Sequence, residues 1–235
     1  MDCETRRGAF RHPLTTFRPD GVPLGTVWQK TSAREKLDTD LSKAQRNQKR
    51  DKTRIEKQES FRSIEGLPAG RDVAAACPQT TCVCVSDTES DTYKLFSEPR
   101  SVDLASPVHF LIRATQERCI EIGKWLRDVR ATDSLSRSQV RVSSRVAKVR
   151  ITEHKREQSC DAHTADVEIH ATTVTLNPPS RFDRRLLPMT VNVVVVEEPN
   201  PPQGCQPIHW LLVTTLSIGT LKDVLRVVRK RVTVT

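Results

Sequence analysis

The chain has 235 residues with a formal net charge of +9, and only 36% of them are hydrophobic and 4% aromatic. So little apolar material predicts a modest core with long polar segments. The excess of Lys and Arg favours a polyanionic partner, with nucleic acid first and an acidic membrane surface second. The longest uncharged apolar stretch, from Ile208 to Leu221, is too short to span a bilayer, so we expect no membrane insertion.

The start of the chain and its cysteines bear on where the protein works. Residues 1–7 lack the apolar core of a signal peptide. The seven Cys are scattered along the chain, and we expect them to be reduced and mostly buried. Both observations predict a cytoplasmic protein.

The first predicted element is a β-hairpin over residues 8–34, because Pro19-Asp20-Gly21 is a turn signal between two apolar runs. A basic segment follows at residues 43–57, and it is either a solvated linker or the exposed start of a helix. Such a charge density suits phosphate contacts, although a solvated loop is an equally good interpretation. A helix is then predicted from Ile55 to Cys77, and Pro68 should kink or break it.

A short uncharged run, Cys82 to Val85, predicts a strand buried on both faces. Asp87 follows it at once, ahead of a helix predicted over Ser90 to Ser97. A carboxylate at the carboxyl end of a buried strand stands where open α/β sheets collect ligands, and Asp87 could bind a hard divalent cation there. The alternative is that Asp87 or Ser90 simply caps the next helix.

The later strands are Val108 to Ala114, a set of alternating segments between residues 118 and 179, Val191 to Val196, and Ile208 to Thr215. The alternation predicts strands with one solvated face. That face is partly basic, and its candidate DNA-contacting residues are Arg141, Arg145, Lys148 and Arg150. Thr220 begins a final helix like a capping box, and its predicted apolar face comprises Leu221, Val224, Leu225 and Val228.

Several segments resemble the IS-four group (Tn-five-like) of bacterial cut-and-paste DDE transposases. The order and spacing fit across nearly the whole chain, and the most specific stretch is Glu-Glu-x-x-Pro-Pro followed by Trp-Leu-Leu-x-Thr. The segments are Arg7-Gly-Ala-Phe-Arg-His-Pro-Leu, Pro23-Leu-Gly, Ile55-Glu-Lys-Gln-Glu-Ser-Phe-Arg, Val85-Ser-Asp-Thr-Glu-Ser-Asp-Thr-Tyr, Val196-Glu-Glu-Pro-Asn-Pro-Pro and Ile208-His-Trp-Leu-Leu-Val-Thr-Thr.

The resemblance implies an α/β fold, an RNase H-like mixed sheet with an inserted antiparallel β-domain. On this basis residues 1–117 are the first part of the catalytic core, lacking the strand that carries the first Asp. Residues 118–190 are the inserted β-rich region. Residues 191–235 hold the returning core strands and a helix, and they end before the Glu motif.

The resemblance also implies chemistry in which two aspartates and one glutamate hold two Mg²⁺ ions for in-line attack on a phosphodiester. Asp87 matches the second of these aspartates. The first aspartate and the Tyr-x-x-Arg-x-x-x-Glu motif are missing, and Thr88 stands where the family usually has Arg. We therefore expect a catalytically inactive remnant, truncated at both ends.

The expected partner is DNA, the transposon ends in this family, and a dimer is compatible with the resemblance. Trp210 matches a family residue that stacks on a base flipped out of the duplex. The alternative for Trp210 is an ordinary core residue. The alternative for the whole chain is a non-enzymatic basic nucleic-acid-binding protein.

Overall fold

A computed structural model shows a mixed α/β protein that divides into two units, Met1–Cys82 with Pro99–Val108, and Val83–Glu98 with His109–Thr235. The structure describes residues 9–33, 42, 45, 62–97, 108–115, 118–121, 124–125, 136–142, 163–178, 187–203, 205 and 207–233. Of these, residues 10, 33, 62–63, 119, 121, 124–125, 136–142, 163 and 232–233 are described by their backbone alone.

The predicted hairpin in the first unit is confirmed. Strands β1 (Ala9–Phe17) and β2 (Pro23–Ala33) pair antiparallel. The turn closes through hydrogen bonds from Gly21 N–H to Arg18 O at 2.9 Å and from Arg18 N–H to Val22 O at 2.8 Å. Gly21 has φ of 88°, the left-handed conformation that glycine adopts without steric cost.

The predicted helix after the basic segment is in two pieces, α1 (Arg62–Glu65) and α2 (Leu67–Ala76). The break falls at Gly66 and not at Pro68, which lies in the first turn of α2, where its missing N–H is not needed. A Cβ at Gly66 would lie 3.3 Å from Trp28 Cε3, so glycine permits this close packing. An ion pair joins β2 to α1, with Lys30 Nζ and Glu65 Oε2 2.7 Å apart.

Gln45 of the basic segment and Ser42, just before it, are described, and they favour the helix-start alternative. Ser42 N–H donates to Gln45 Oε1 at 2.9 Å, and Gln45 N–H donates to Ser42 Oγ at 3.3 Å. This reciprocal pair is a capping box, and Gln45 is itself helical.

The second unit is built on a six-stranded sheet of order β3-β4-β10-β9-β8-β7. β3 and β4 are parallel, and the other neighbours pair antiparallel, so the sheet is mixed. A separate small pair is formed by β5 (Cys119–Glu121) and β6 (Lys124–Trp125). The six strands are β3 (Val83–Ser86), β4 (His109–Arg113), β7 (Ser136–Val142), β8 (His163–Leu176), β9 (Met189–Glu197) and β10 (His209–Thr214).

Helix α4 (Leu221–Thr233) covers one face of this sheet. Its valines pack into a cluster of buried residues that includes Ala165, Val167, Ile169, Leu212, Val224, Val227 and Val228. The predicted apolar face is therefore wrong at Leu221, which is exposed, and it omits Val227. The predicted capping is confirmed, because Thr220 Oγ1 accepts a hydrogen bond from Asp223 N–H at 3.2 Å.

The opposite face of β4 is covered by the short helix α3 (Tyr93–Ser97). The rings of Phe96 and Phe110 lie with centroids 5.4 Å apart and are both buried. Tyr93 Oη lies 2.7 Å from Leu187 O and 3.1 Å from Leu176 O, to which its single hydroxyl hydrogen can donate. These contacts attach α3 to the far end of β8.

The prediction that β3 is buried on both faces is wrong, since all four of its residues are partly exposed. The reason is its position at one end of the strand order, where among the described residues it pairs only with β4. Composition alone does not distinguish a short terminal strand from a central one.

The cysteines also differ from the prediction. Cys205 is disulfide-bonded, so they are not all reduced. Cys77, Cys82 and Cys84 are reduced thiols, of which Cys77 is exposed and the other two are partly exposed. In the described part of the chain no helix is long and apolar enough to cross a membrane.

Candidate functional site at the carboxyl end of β3 and β4

Asp87 follows β3 directly and lies at the edge of the sheet where β3 and β4 end. The parallel register places Ser86 beside Ile112, so Asp87 and Arg113 come next on the two strands. Its side chain is 56% exposed. The predicted position of this carboxylate, at the carboxyl end of a strand, is where open α/β sheets bind ligands.

The side chain that meets Asp87 comes from the far end of the chain. Arg231 Nη2 donates to Asp87 Oδ1 at 3.2 Å. The Arg231 side chain is only 6% exposed, so the ion pair joins a buried cation to an exposed anion. Solvent screens the exposed carboxylate, and this weakens its attraction to the guanidinium.

Arg231 is placed there by the geometry of α4. Val224, Val227 and Val228 face the sheet, and Arg231 continues the same stripe one turn later. Its methylenes can follow the apolar surface while the guanidinium reaches the sheet edge. It also lies in the last turn of the helix, where the helix dipole favours a positive charge.

Arg113 adds a second cation to this edge. It lies opposite Leu212 in the β4–β10 register, and side-chain alternation puts it on the α4 face with Leu111. Burial lowers the pKa of Arg231, Asp87 opposes that effect, and Arg113 lowers the pKa further. An arginine stays protonated in proteins, so both guanidinium groups are positively charged.

Two other acids of the segment have different surroundings. Glu89 is exposed. Asp91 is fully buried, with Oδ1 and its backbone carbonyl accepting from Arg118 Nη2 and Oδ2 accepting from Thr115 N–H at 2.7 Å. The Arg118 guanidinium also lies 5.0 Å from the centre of the Phe96 ring. Asp91 is therefore structural, because it ties the segment after Asp87 to the chain that leaves β4.

The alternative that Asp87 caps the following helix is wrong. Asp87 precedes a 3-10 turn, Thr88–Ser90, but its side chain makes no capping hydrogen bond there. The side chain that caps α3 belongs to Thr92, whose Oγ1 accepts from Leu95 N–H at 3.3 Å. Asp87 is thus left at the sheet edge with Arg231 as its ion-pair partner.

The described residues around Asp87 do not fit a divalent cation. Mg²⁺ takes near-octahedral oxygen coordination and is usually held by more than one carboxylate or by carboxylate and phosphate together. Among the described residues, no three His, Cys, Asp or Glu side chains are grouped closely enough to hold a metal ion. Among the described residues, the charged group paired with Asp87 is the Arg231 guanidinium, which would repel a cation.

The Glu-Glu-x-x-Pro-Pro stretch forms a clamp between β9 and β10. Glu198 is buried, and its Oε2 accepts from Ile208 N–H at 3.0 Å. The two backbones also join, since Glu198 N–H donates to Ile208 O at 3.0 Å. Glu197 Oε1 lies 3.3 Å from His209 Nδ1 at the next paired position. This motif therefore fixes the register of the two strands across the Pro-rich loop.

Trp210 is part of the same pair of strands. It lies opposite Val196, is partly buried, and packs against the cluster under α4. Leu212, two residues after Trp210, pairs with Arg113 at the end of β4, so Trp210 lies at the same end of the sheet as Asp87. The core interpretation accounts for the contacts that the described residues make with it.

The basic candidates at residues 141–150 are described only in part. Arg141 lies on β7 opposite Thr164, and nothing of its side chain is described. Arg145, Lys148 and Arg150 lie outside the described residues.

Two arginines at the Asp87 edge were not predicted from the sequence, although one signal was present. Arg231 falls at i+3 from Val228 and i+7 from Val224, so a charged residue interrupts an apolar stripe. Arg113, at the end of β4, had no comparable local signal.

No family model matches the chain.

Proposed function

We propose that this chain is a DNA-binding protein related to the IS-four group of transposases, with an RNase H-like core, and that by itself it does not cut DNA. The observation that carries the proposal is the parallel β3–β4 pair with Asp87 at its carboxyl end. The resemblance leads one to expect an acidic residue there, after a strand of a mixed sheet. A helix from late in the chain then packs on that sheet, as α4 does.

The motif with the highest specificity in the resemblance also has a physical role in this chain. Glu198 and the backbone of Ile208 hold β9 against β10, and this places Trp210 on the α4 face. Burying the Glu198 carboxylate costs free energy unless it accepts hydrogen bonds. The bond from Ile208 N–H meets this need, so the loop has a specific use for an acid at this position. That requirement favours the resemblance over a chance match of two acids and two prolines.

The inactivity part of the proposal rests on the surroundings of Asp87. Two-metal cleavage of a phosphodiester needs several oxygen ligands close together. In the described ranges Asp87 is ion-paired to Arg231, and no group of three metal-binding side chains is present. These surroundings support a chain that holds DNA phosphates without the metal ions that cleavage requires.

Binding to DNA is supported by the net charge of +9. Lys and Arg side chains that neutralise phosphates release counterions, so the affinity should fall steeply with salt. The resemblance adds transposon ends as the DNA partner, and a dimer is the expected state on DNA. The inserted β-domain of residues 118–190 remains part of this proposal, and of its described strands β8 pairs with β9 and β7 pairs with β8.

The test combines a binding assay with a cleavage assay on the purified chain. Fluorescence anisotropy with a labelled duplex should show binding at 50 mM salt that weakens by at least about tenfold at 200 mM. The same duplex, incubated with Mg²⁺ or Mn²⁺, should remain uncut. Metal-dependent cleavage that disappears in Asp87→Ala would refute the inactivity part.

A single-stranded RNA of the same length is the control for the alternative function. Equal or tighter binding to RNA would favour a general nucleic-acid-binding protein over a transposase relative. Binding that does not change with salt would contradict phosphate contacts altogether.

A further inference from the structure

Two reduced thiols, Cys77 and Cys82, flank a tight turn in the first unit. Cys77 ends helix α2, where its N–H donates to Val73 O at 3.1 Å and to Ala74 O at 3.2 Å. Cys82 comes directly before β3. Because both cysteines belong to one unit, the local backbone decides how they are placed.

The turn between the two cysteines reverses the direction of the chain. Thr80 N–H donates to Cys77 O at 2.9 Å, which closes a β-turn over residues 77–80. In a β-turn the first and fourth Cα atoms lie within about 7 Å of each other. Pro78 is the second residue, where its fixed φ favours the turn. The chain therefore returns towards Cys77 before it reaches Cys82.

The two thiols also interact electrostatically. Burial raises the pKa of the Cys82 thiol, and the Cys77 thiolate raises it further. A like charge has this effect only from nearby, so the two side chains are close neighbours. Cys77 is exposed and Cys82 is partly exposed, so a small reagent can reach the pair from solvent.

Cys84 is a poorer partner for Cys82, although it is nearer in sequence. Val83, between them, is a strand residue. Extended backbone separates alternate residues by about 6.6 Å. A disulfide needs its Cβ atoms about 3.5–4.5 Å apart. Cys77 and Cys82 are therefore the pair that the local structure brings together.

We propose that Cys77 and Cys82 form a reversible disulfide when the chain meets a small-molecule disulfide such as oxidised glutathione. The exposed Cys77 thiolate attacks one sulfur atom of the reagent, whose S–S bond breaks and releases one glutathione thiolate. The Cys82 thiolate then attacks the Cys77 sulfur atom, forms the internal S–S bond and releases the second glutathione thiolate. The protein loses two thiol protons and two electrons, which reduce oxidised glutathione to two molecules of glutathione.

This pair differs from the existing disulfide in the chain. Cys205 is disulfide-bonded, whereas Cys77 and Cys82 are reduced. Exposed disulfides are the labile ones, because a reducing thiol reaches them readily, so we expect glutathione to reverse the Cys77–Cys82 bond. The reaction uses no residue of the Asp87 edge and does not depend on DNA binding.

The first experiment treats the full chain with oxidised glutathione, blocks the remaining thiols with iodoacetamide and analyses tryptic peptides by mass spectrometry. Trypsin releases residues 72–94 as one peptide, which contains Cys77, Cys82 and Cys84. In Cys84→Ser this peptide should carry no alkylated cysteine and should be about 2 Da lighter than its reduced form, which assigns the bond to Cys77 and Cys82. A Cys84→Ser chain that forms no disulfide in this peptide would overturn the proposal.

The second experiment traps the mixed disulfide. Cys82→Ser leaves Cys77 to react alone, so glutathione should remain on Cys77 at a level at least about tenfold above that in the unmodified chain. Cys84→Ser is the matched control, because it removes a thiol from the same segment and should still release the glutathione. Equal amounts of the adduct in the two variants would contradict the role of Cys82.

The third experiment asks whether the fold, and not the short loop alone, brings the thiols together. The fraction of the Cys77–Cys82 disulfide in Cys84→Ser is measured against the ratio of reduced to oxidised glutathione, in buffer and in urea. The equilibrium constant should be at least about fivefold lower in urea, where α2 and the turn are lost. Equal constants would overturn the inference that the fold pairs these thiols. Circular dichroism checks that each variant is folded in buffer.

Discussion

Replacement of Arg118 by Met should be one of the most damaging single changes in the second unit. Asp91 is fully buried, and the Arg118 side chain is only 5% exposed. The change removes the guanidinium that donates to the Asp91 carboxylate and to its backbone carbonyl, and it removes the cation above the Phe96 ring. Thr115 N–H still donates to the carboxylate, but the charge of Asp91 loses its buried counter-ion.

The expected loss is about 3–5 kcal/mol in the free energy of unfolding, the range for breaking a buried ion pair by removing one partner. The cation–π contact contributes about 1–2 kcal/mol of that loss. Urea denaturation followed by circular dichroism measures it, with the slope m checked for a change in the unfolded state. Arg226→Met is the matched control, because Arg226 forms an exposed pair with Asp223 at 3.5 Å and should cost no more than about 0.5 kcal/mol.

A double variant tests the reasoning behind this magnitude. Asp91→Asn combined with Arg118→Met removes the uncompensated charge and should recover part of the stability that Arg118→Met alone loses. A loss below about 1 kcal/mol in the single variant would refute the buried ion pair. A double variant no more stable than the single one would show that lost packing, and not the charge, is the cause.

Three further changes have defined outcomes. Trp210→Ala should cost about 2–3 kcal/mol in urea denaturation, because the indole is only partly buried; an unchanged midpoint with weaker DNA binding would instead favour base stacking. Tyr93→Phe should cost about 1 kcal/mol, since it removes the donor to the Leu176 and Leu187 carbonyls. Burial raises the pKa of Tyr93, and Arg118 opposes this. The contribution of Tyr93 to the free energy of unfolding is therefore retained below the ordinary pKa of about 10 and lost as the pH rises through the higher folded pKa. The change in the free energy of unfolding between pH 9 and 11 should be smaller in Tyr93→Phe. Thr220→Ala should cost about 1 kcal/mol through the lost cap of α4, and a thermal scan that shows no change would contradict the capping role.

Much of the secondary structure was predictable because it depends on local patterns. The turn at Gly21 and the uncharged runs that become β9 and β10 are set by a few neighbouring residues. The exposed position of β3 was not predictable in the same way. Its neighbours in the sheet are decided by pairing between distant segments, and an apolar run of four residues has the same composition at an edge as in the centre.

The candidate site was predictable to the same extent. Asp87 was identified because the abrupt end of an apolar run is visible in the sequence, and the strand end is where the structure puts it. Its partner was not identified. An ion pair between residues separated by 144 positions depends on the packing of α4 across the sheet, which no local pattern specifies.

The ion pair between Asp87 and Arg231, with Arg113 beside it, follows from placements that have different origins. Strand pairing sets Asp87 beside Arg113, and the helical period of α4 brings Arg231 to the same place. Had position 231 been apolar like Val224 and Val228, the stripe would have ended in the core, and Asp87 would have faced solvent with Arg113 as its neighbour. Because an arginine occupies that position, the Asp87 carboxylate is paired with a guanidinium. The strand end that is suited to a metal ligand in an open α/β sheet is thereby occupied by an ion pair.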